Sequence, residues 1–453
     1  MTPTQTCQML MDIGDEVEMD GVTWKRVAEV PEDDRPSRLP SMTMRSFSVT
    51  DSTTEGDIHD ELLPVSIPFM LEVVQFRAIE ANDKRKYTED HIRGFLVCLY
   101  GGAQFKEGSD CWATDTVDML PPPNFGRHLN ADRFDRILRY FARGPEGCDE
   151  NAAEDPWFQV RWMVNGYNAC RKRVFIWGWC CIVDESMVSW TGKSGVGGLP
   201  HLSFIPRKPE PLGVELKTMC DGTSGVCMHM EVQEGKLRMT RKKYHQQYGA
   251  TTSCTLRLCE GAGLHEKNKA DNQRLHRGIG GDSWFASRKT AVALEEELGL
   301  RFVGPVKTNT KSFPVQQMRH TLHNTPRGTS ITLQEVGSNR YAIGWNDHWY
   351  KTYITNYGVT LPGEAAQKKR QRHDTGRNYF IPIARPQQLQ HYYKIAPLVD
   401  RHNMYRQHMS EPQIKGMKNA ASGTFGYLSC IGSSGFHPRG AQSPRGPGPA
   451  IGC

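Results

Sequence analysis

Several features that define whole classes of protein are missing from this sequence. No apolar run approaches the ~20 residues that span a bilayer, so no membrane partner is expected. The first twenty residues, MTPTQTCQMLMDIGDEVEMD, lack the basic start and apolar stretch of a signal peptide. The 13 cysteines are odd in number and scattered, which does not suit a disulfide framework. These absences predict an intracellular protein with reduced, buried thiols.

The spacing of a zinc site is also missing. The nearest arrangement is Cys254, Cys259, His265 and His276, spaced C-x4-C-x5-H-x10-H. Structural zinc sites use shorter and more regular spacings. We therefore expect no structural zinc.

Charge is unevenly distributed along the chain. Residues 1–60 hold 13 acidic and 5 basic residues, whereas the remainder carries a net charge of +14. A basic body favours a polyanion such as nucleic acid, although a mildly basic enzyme has the same composition. The tail over 1–60 is polar and poor in aromatics, which predicts an acidic, disordered segment.

Helical periodicity dominates residues 61–173. In Asn130–Phe141 the apolar residues fall at i, i+3, i+4 and i+7, which predicts one buried stripe. Another helix is expected over Pro156–Arg173. The sequence therefore predicts an all-α region ahead of the next segments.

The periodicity then changes to that of strands. Strands are predicted at 174–183, 213–220, 226–233 and 301–307, and a helix at 287–298. This order predicts an α/β, ribonuclease-H-like core with a mixed sheet, whose first part spans 174–320. A β-rich insertion domain is expected over 321–390, with a basic loop at 367–377, and the second part of the core over 391–412. Residues 413–453 are rich in Gly, Ser and Pro and are expected to be a disordered tail.

Three separated aspartates are the candidate catalytic residues and metal ligands. Asp184 ends the apolar run VFIWGWCCIV, Asp282 follows RGIGG, and Asp400 lies in a helix-compatible segment. Strand ends and a helix can bring such carboxylates to one sheet edge, where they would bind two Mg²⁺ or Mn²⁺ ions for phosphodiester chemistry. Glu185 and Asp221 are accessory candidates, although Asp221 also suits the first position of the turn DGTSG.

Basic residues near these acids are candidates for contacts with the DNA backbone. They are Lys193, Lys208, Lys307, Lys311, Arg171, Lys172 and Arg173. The run containing Lys368, Lys369, Arg370 and Arg372 suits a nuclear localisation signal, a phosphate-binding loop or a solvated charged loop. A nuclear location is therefore expected.

Five segments together resemble the piggyBac-type transposases of the DDE superfamily and the domesticated proteins derived from them. They are IVDESMVSWTGKSG, FIPRKPEPLGVELKTMCDGTSG, GDSWFASRKTA, VGPVKTNTKSFP and YYKIAPLVDRHNMYRQ. The resemblance spans roughly 62–407. It implies that Asp184, Asp282 and Asp400 form a catalytic DDD set, and that Lys208 belongs to a family pattern.

The resemblance further implies cut-and-paste transposition of DNA by metal-dependent strand cleavage and strand transfer. The partners it implies are double-stranded transposon ends, a TTAA target and a second copy of the chain, with 61–173 serving dimerisation and DNA binding. The chain departs from the family pattern at Asn403, where many members carry an acid, and in a C-terminus expected to be truncated or aberrant. An inactive, domesticated or decayed transposase that binds DNA is therefore the alternative.

Overall fold

The computed structural model describes residues 16–27, 41–44, 53–102, 111–112, 124–189, 201–206, 211–265, 276–371, 376 and 378–408. The helices in these residues are α1 (Glu55–Leu62), α2 (Ile67–Glu80), α3 (Glu89–Gly102), α4 (Ala131–Arg143), α5 (Phe158–Val174), α6 (Lys236–Arg241), α7 (His245–Gly261), α8 (Arg288–Leu298), α9 (Val315–Leu322), α10 (Gln387–Ile395) and α11 (Pro397–His408). The strands are β1 (Glu16–Met19), β2 (Val22–Arg26), β3 (Thr43–Met44), β4 (Phe175–Ile176), β5 (Cys180–Ser189), β6 (Ser203–Phe204), β7 (Leu212–Asp221), β8 (Cys227–Val232), β9 (Gly278–Gly281), β10 (Arg301–Pro305), β11 (Ser330–Glu335), β12 (Tyr341–Asn346), β13 (Tyr350–Thr355), β14 (Ala366–Gln371) and β15 (Asn378–Ile383).

One large mixed sheet organises the molecule. Its strand order is β1-β2-β11-β12-β13-β10-β9-β5-β7-β6, and β8 also pairs with β7. The pairs β5–β9 and β9–β10 are parallel, whereas β5–β7 and β7–β8 are antiparallel. Three antiparallel strands that continue into two parallel ones, with helices on both faces, are consistent with a ribonuclease-H-like transposase fold.

The N-terminal helices form as the sequence predicts. In α4, the residues Phe134, Ile137, Leu138 and Phe141 are all buried on one stripe. The side chain of Asn130 caps the first turn by accepting from the Arg133 amide at 2.9 Å, and the helix ends before Gly144, whose φ is +76°. The predicted helix over Asn130–Phe141 is therefore confirmed.

The acidic N-terminal segment contains more structure than its composition suggests. Strands β1 and β2 form a hairpin, and β2 pairs with β11 through Arg26–Leu333 and its neighbours. Trp24 is fully buried, and its ring meets Phe313 edge-on at 5.3 Å between ring centroids. The expectation of disorder over 1–60 is therefore wrong for residues 16–26, because one buried tryptophan and a shared sheet edge order a polar hairpin. It is also wrong for residues 55–60, which lie in α1 behind the capping residue Thr54.

The β-rich region also differs from the expected insertion over 321–390. Its first three strands continue the main sheet, since β13 pairs antiparallel with β10 through Val303–Thr355 and its neighbours. An open edge of β10 would expose unpaired backbone groups, and β13 satisfies them. Only β14 and β15 of this region form a separate two-stranded sheet, so the prediction of a loop at 367–377 is wrong for residues 367–371, which lie on β14.

Helices cover both faces of the sheet near β5. One core joins the N-terminal helices with α5, α10 and α11, and a second core joins α7, α8 and α9 to the other face. The ten cysteines of the described residues are buried, as predicted. Within the described residues, no single helix is long and apolar enough to cross a membrane. One pair of helices bent by 66°, Gly56–Leu62 with Ile67–Glu80, is long and apolar enough when the two are taken together.

Candidate active site

Asp184 lies in the middle of β5 and not at its end. The strand continues to Ser189 in register with β7, where Asp184 pairs with Thr218. Cys180 and Ile182 belong to the core that includes α10 and α11, and side chains alternate along a strand, so Asp184 lies on that same face. The predicted end of the strand at residue 183 is therefore wrong, because cross-strand pairing with β7 extends the strand by six residues, to Ser189.

Asp282 lies beside Asp184 on the neighbouring strand. Strands β5 and β9 are parallel and pair Val183 with Gly281, so the next position along each strand is an aspartate. The Asp282 carboxylate accepts the Trp284 amide at 2.8 Å, and its carbonyl accepts the Phe285 and Ala286 amides. Helix α8 begins later, after its cap Ser287. Asp282 is therefore fixed in a tight turn at the end of β9.

A glycine in β9 lets the third element approach the sheet. A Cβ at Gly280 would lie 2.6 Å from Ile395 Cδ1 and 2.9 Å from Ile182 Cδ1, closer than any real contact. Helix α11 packs on β5 and β7 through Leu398 and Val399, which are buried in the same core. Asp400 follows on the first turn of α11, with its side chain exposed.

Tyr392 is electrostatically coupled to all three aspartates. Its phenol is 9% exposed and sits on α10, the helix before α11. Burial raises the pKa of Tyr392 far above its usual value, and the negative charges of Asp282, Asp184 and Asp400 raise it further. One hydroxyl therefore lies within electrostatic range of all three predicted catalytic residues, which are separated by up to 216 positions in the chain.

The donor atoms of this cluster suit a hard divalent cation. Asn403 lies one turn after Asp400, and its Oδ1 is buried without a hydrogen-bond partner in the described residues. Mg²⁺ prefers oxygen ligands and keeps several waters, so one or two carboxylates are enough. Within the ranges given above, no three His, Cys, Asp or Glu side chains lie close enough to hold one ion. The fit is therefore one of ligand chemistry, without a closed three-carboxylate cage.

Glu185 belongs to a separate, buried ionic cluster on the opposite face of β5. Lys217 donates to Glu185 at 2.8 Å and lies 2.5 Å from Glu215. Its ammonium lies 3.6 Å from the centroid of the Trp284 ring, in the turn that holds Asp282. Glu185 is therefore the ion-pair partner of Lys217, and through Lys217 this cluster contacts Trp284 in the Asp282 turn. Sequence reasoning missed Lys217 because only the strand register brings it to Glu185.

Asp221 is committed to its turn. Its Oδ2 accepts the Gly178 amide at 2.8 Å, and its Oδ1 accepts the backbone amides and hydroxyls of Thr223 and Ser224 at 2.5–3.0 Å. Both carboxylate oxygens are hydrogen-bonded and the residue is fully buried. Asp221 is therefore the first residue of the turn DGTSG, which is the alternative that the sequence analysis gave for it.

The candidate DNA contacts separate into three groups. Lys307, Lys311 and Lys172 are exposed. Arg173 pairs with Glu61, and Arg171 is 1% exposed, stacked over Tyr167 and Phe175. The prediction for Arg171 is therefore wrong, because its guanidinium fills the core. Three of the candidates lie outside the described residues, namely Lys193, Lys208 and Arg372.

The four residues considered for zinc occupy different settings. Cys254 and Cys259 are buried in α7, and burial raises the pKa of Cys254 to about 12, so its thiol stays protonated. The ring of His276 bonds to the carbonyl of Gly299 at 3.0 Å. The absence of a structural zinc site stays a prediction.

Comparisons with known proteins find similarity to transposases. The family model described as Transposase IS4, of the DDE type, matches residues 63–431. A solved cryo-EM structure, the piggyBac transposase synaptic complex with hairpin DNA, is similar with a TM-score of 0.59 and 18% sequence identity. The similarity covers 84% of this chain and 74% of that one, and at this identity it establishes the fold alone. A search of curated proteins finds no match.

Proposed function

Because the chain belongs to the Transposase IS4 family of DDE transposases, we propose that it cleaves DNA strands and transfers them in a metal-dependent reaction. The observation that supports this proposal is the placement of Asp184, Asp282 and Asp400 on neighbouring elements of the sheet and on the helix that packs over it. Asp184 lies on β5, Asp282 directly follows the parallel strand β9, and Asp400 lies on α11, which packs on β5. Three elements from distant parts of the chain thus bring the three aspartates to one region of the sheet.

Each residue of the cluster has a proposed role. Asp184, Asp282 and Asp400 would hold Mg²⁺ or Mn²⁺, by family analogy two ions, and Asn403 would add a neutral oxygen. When bound, such ions activate an attacking water or 3′-hydroxyl and stabilise the leaving oxygen. Tyr392 keeps its proton at neutral pH, so its hydroxyl can donate a hydrogen bond to a phosphate oxygen. The Trp284 amide orients Asp282.

The proposed partner is double-stranded DNA. The solved neighbour is a transposase bound to hairpin DNA, and the chain beyond residue 60 carries a net charge of +14. Lys172, Lys307 and Lys311 are exposed, and we propose that Lys307 and Lys311 contact phosphates. By extension from the family we also propose transposon ends and a TTAA target as substrates, a homodimer built through 61–173, and a nuclear location.

The test is nicking of supercoiled plasmid by the full chain with Mg²⁺ or Mn²⁺. We expect Asp184→Asn, Asp282→Asn and Asp400→Asn each to lower the nicking rate at least ~100-fold, since several kcal/mol of transition-state stabilisation depend on the ions. Glu16→Gln, which removes a carboxylate with 56% exposure on β1, is the matched control and should nick normally. Urea unfolding of each variant checks that the fold is intact.

The outcomes separate the two candidate functions. Nicking that survives in the Asp184 variant would refute the assignment of the site. A wild-type chain that unfolds cooperatively and binds DNA, but nicks neither plasmid nor transposon-end DNA with either metal, would support the inactive, DNA-binding alternative. The substitution of Asn403 for an acid is the sequence feature that favours that alternative.

A further inference from the structure

Strands β14 and β15 form a two-stranded ribbon that stands apart from the main sheet. Six residue pairs hold it together, from Ala366–Ile383 at its base to Gln371–Asn378. The base is anchored, because Ala366 and Ile383 are buried in a core with Trp345, whose indole donates to the Ala384 carbonyl at 2.9 Å. The ribbon is therefore fixed at one end and solvated toward the other.

The outer half of the ribbon pairs cations with exposed aromatic rings. Lys369 lies opposite Phe380, which is 61% exposed, and Arg370 lies opposite Tyr379, which is 42% exposed. Cross-strand partners share a face, so each face of the ribbon presents one cation and one ring. Both rings are exposed large hydrophobic side chains, which burial in a core does not explain.

Lys368 has a different role from its two neighbours. Its ammonium lies 2.8 Å from the Asp347 carboxylate and 5.8 Å from the Trp345 ring centroid. Burial alone would raise the pKa of Asp347, but hydrogen bonds from Lys368 and Arg327 lower it to about 2. Lys368 therefore links the ribbon to the main sheet through its ion pair with Asp347. It does not belong to a continuous exposed basic run of the kind that a nuclear localisation signal needs.

We propose that this ribbon, residues 366–371 with 378–383, is a DNA-binding element, in which Lys369 and Arg370 contact phosphates and Tyr379 and Phe380 stack on unpaired bases. The inference rests on the proposed function and assigns a DNA contact within it. Charge complementarity selects the partner, since residues 366–383 contain five Lys and Arg against one Asp. A two-stranded ribbon also fits the major groove, which is about 12 Å wide.

The position of the ribbon supports a contact close to the reaction. Strand β15 ends four residues before α10, the helix that carries Tyr392. The anchored base of the ribbon is therefore close in the chain to the helix beside the three aspartates, and we expect DNA on the ribbon to continue toward them, where strand cleavage would open the duplex. Aromatic rings recognise opened bases without sequence preference, because every base has a stacking face.

The experiment measures binding of the full chain to fluorescent 30-base-pair duplexes in EDTA, by anisotropy, over a range of salt concentrations. One duplex is fully paired and the other contains two unpaired bases. The cation variant is Lys369→Gln with Arg370→Gln, and its control is Lys25→Gln with Lys236→Gln, two exposed lysines on other elements. The aromatic variant is Tyr379→Ser with Phe380→Ser, and its control is Phe204→Ser, with 67% exposure on β6.

We expect the cation variant to bind both duplexes about tenfold more weakly and to lower the slope of log K against log salt by about 2, the release of two phosphate contacts. The aromatic variant should bind the unpaired duplex about tenfold more weakly and the paired duplex nearly normally. Ribbon variants that bind like their controls, while the wild-type chain binds DNA, would overturn this inference alone. A wild-type chain that binds neither duplex would overturn both this inference and the proposed function.

Discussion

Replacing Lys217 with methionine should destabilise the protein strongly at neutral pH. The Lys217 side chain is 6% exposed, and the carboxylates of Glu185 and Glu215 that pair with it are 9% and 12% exposed. Methionine matches the lysine stem in volume but leaves two neighbouring buried carboxylates without a cation. Breaking a buried ion pair in this way costs ~3–5 kcal/mol, so we expect the free energy of unfolding to fall by that amount.

The assay is urea unfolding followed by circular dichroism at pH 7.5. Adding Glu185→Gln and Glu215→Gln should restore most of the stability of the Lys217→Met chain, since no buried charge then remains. Lys25→Met is the control, because the Lys25–Glu16 pair at 3.6 Å is exposed and contributes ~1 kcal/mol or less.

The same substitution should impair the proposed reaction. Without the ammonium 3.6 Å from its ring, Trp284 loses the contact that holds the Asp282 turn, whereas Lys217→Arg keeps the charge and should retain nicking. A Lys217→Met chain destabilised by less than ~1 kcal/mol, or one that the two Gln substitutions fail to rescue, would refute this reasoning.

Two further predictions concern buried packing, one at Gly280 beside the site and one at His229 on β8. Gly280→Ala places a methyl 2.6 Å from Ile395 Cδ1, so the free energy of unfolding in urea should fall by ~1–3 kcal/mol and nicking should be slower. Adding Ile395→Ala should recover part of the stability and part of the activity. A Gly280→Ala chain with normal stability and normal nicking would contradict the packing argument. Burial lowers the pKa of His229 to about 4, below its ordinary 6.5. As the pH falls, the His229 ring therefore takes up a proton in the unfolded chain before it does so in the folded chain. The contribution of neutral His229 to the free energy of unfolding is complete above pH 6.5 and falls by up to ~3 kcal/mol as the pH drops toward 4. Urea unfolding at pH 7.5 and 4.5 should show a smaller loss for His229→Gln than for the wild-type chain, and equal losses would contradict the assignment.

The parts of the fold that sequence could predict are those with strong local patterns. The stripe of α4 and the strand–aspartate–helix order around Asp282 both follow from periodicity and capping within a few residues. The N-terminal hairpin could not be predicted in this way, because β1 reads EVEM and its order depends on Trp24 and a partner strand 300 residues away. The ribbon strand AQKKRQ similarly lacks β-formers and is defined by pairing with NYFIPI.

The candidate site shows the same division. Residue type identified Asp184, Asp282 and Asp400, whereas the register of β5 with β9 places the first two side by side. The requirement for glycine at position 280 follows from the close approach of Ile395, which the sequence does not reveal. Glu185 carried the same local signal as Asp184, and one position along a strand sends it to the opposite face, to Lys217.

The pairing of β2 with β11 has a consequence for synthesis on the ribosome. Arg26 and its partner Leu333 are separated by roughly 300 residues, which takes ~15–60 s to translate at 5–20 residues per second. During that interval the hairpin around Trp24 has neither Phe313 nor β11 to cover it. The first strands to emerge are thus among the last to be completed, and the nascent chain exposes a tryptophan and an unpaired strand edge through most of its synthesis.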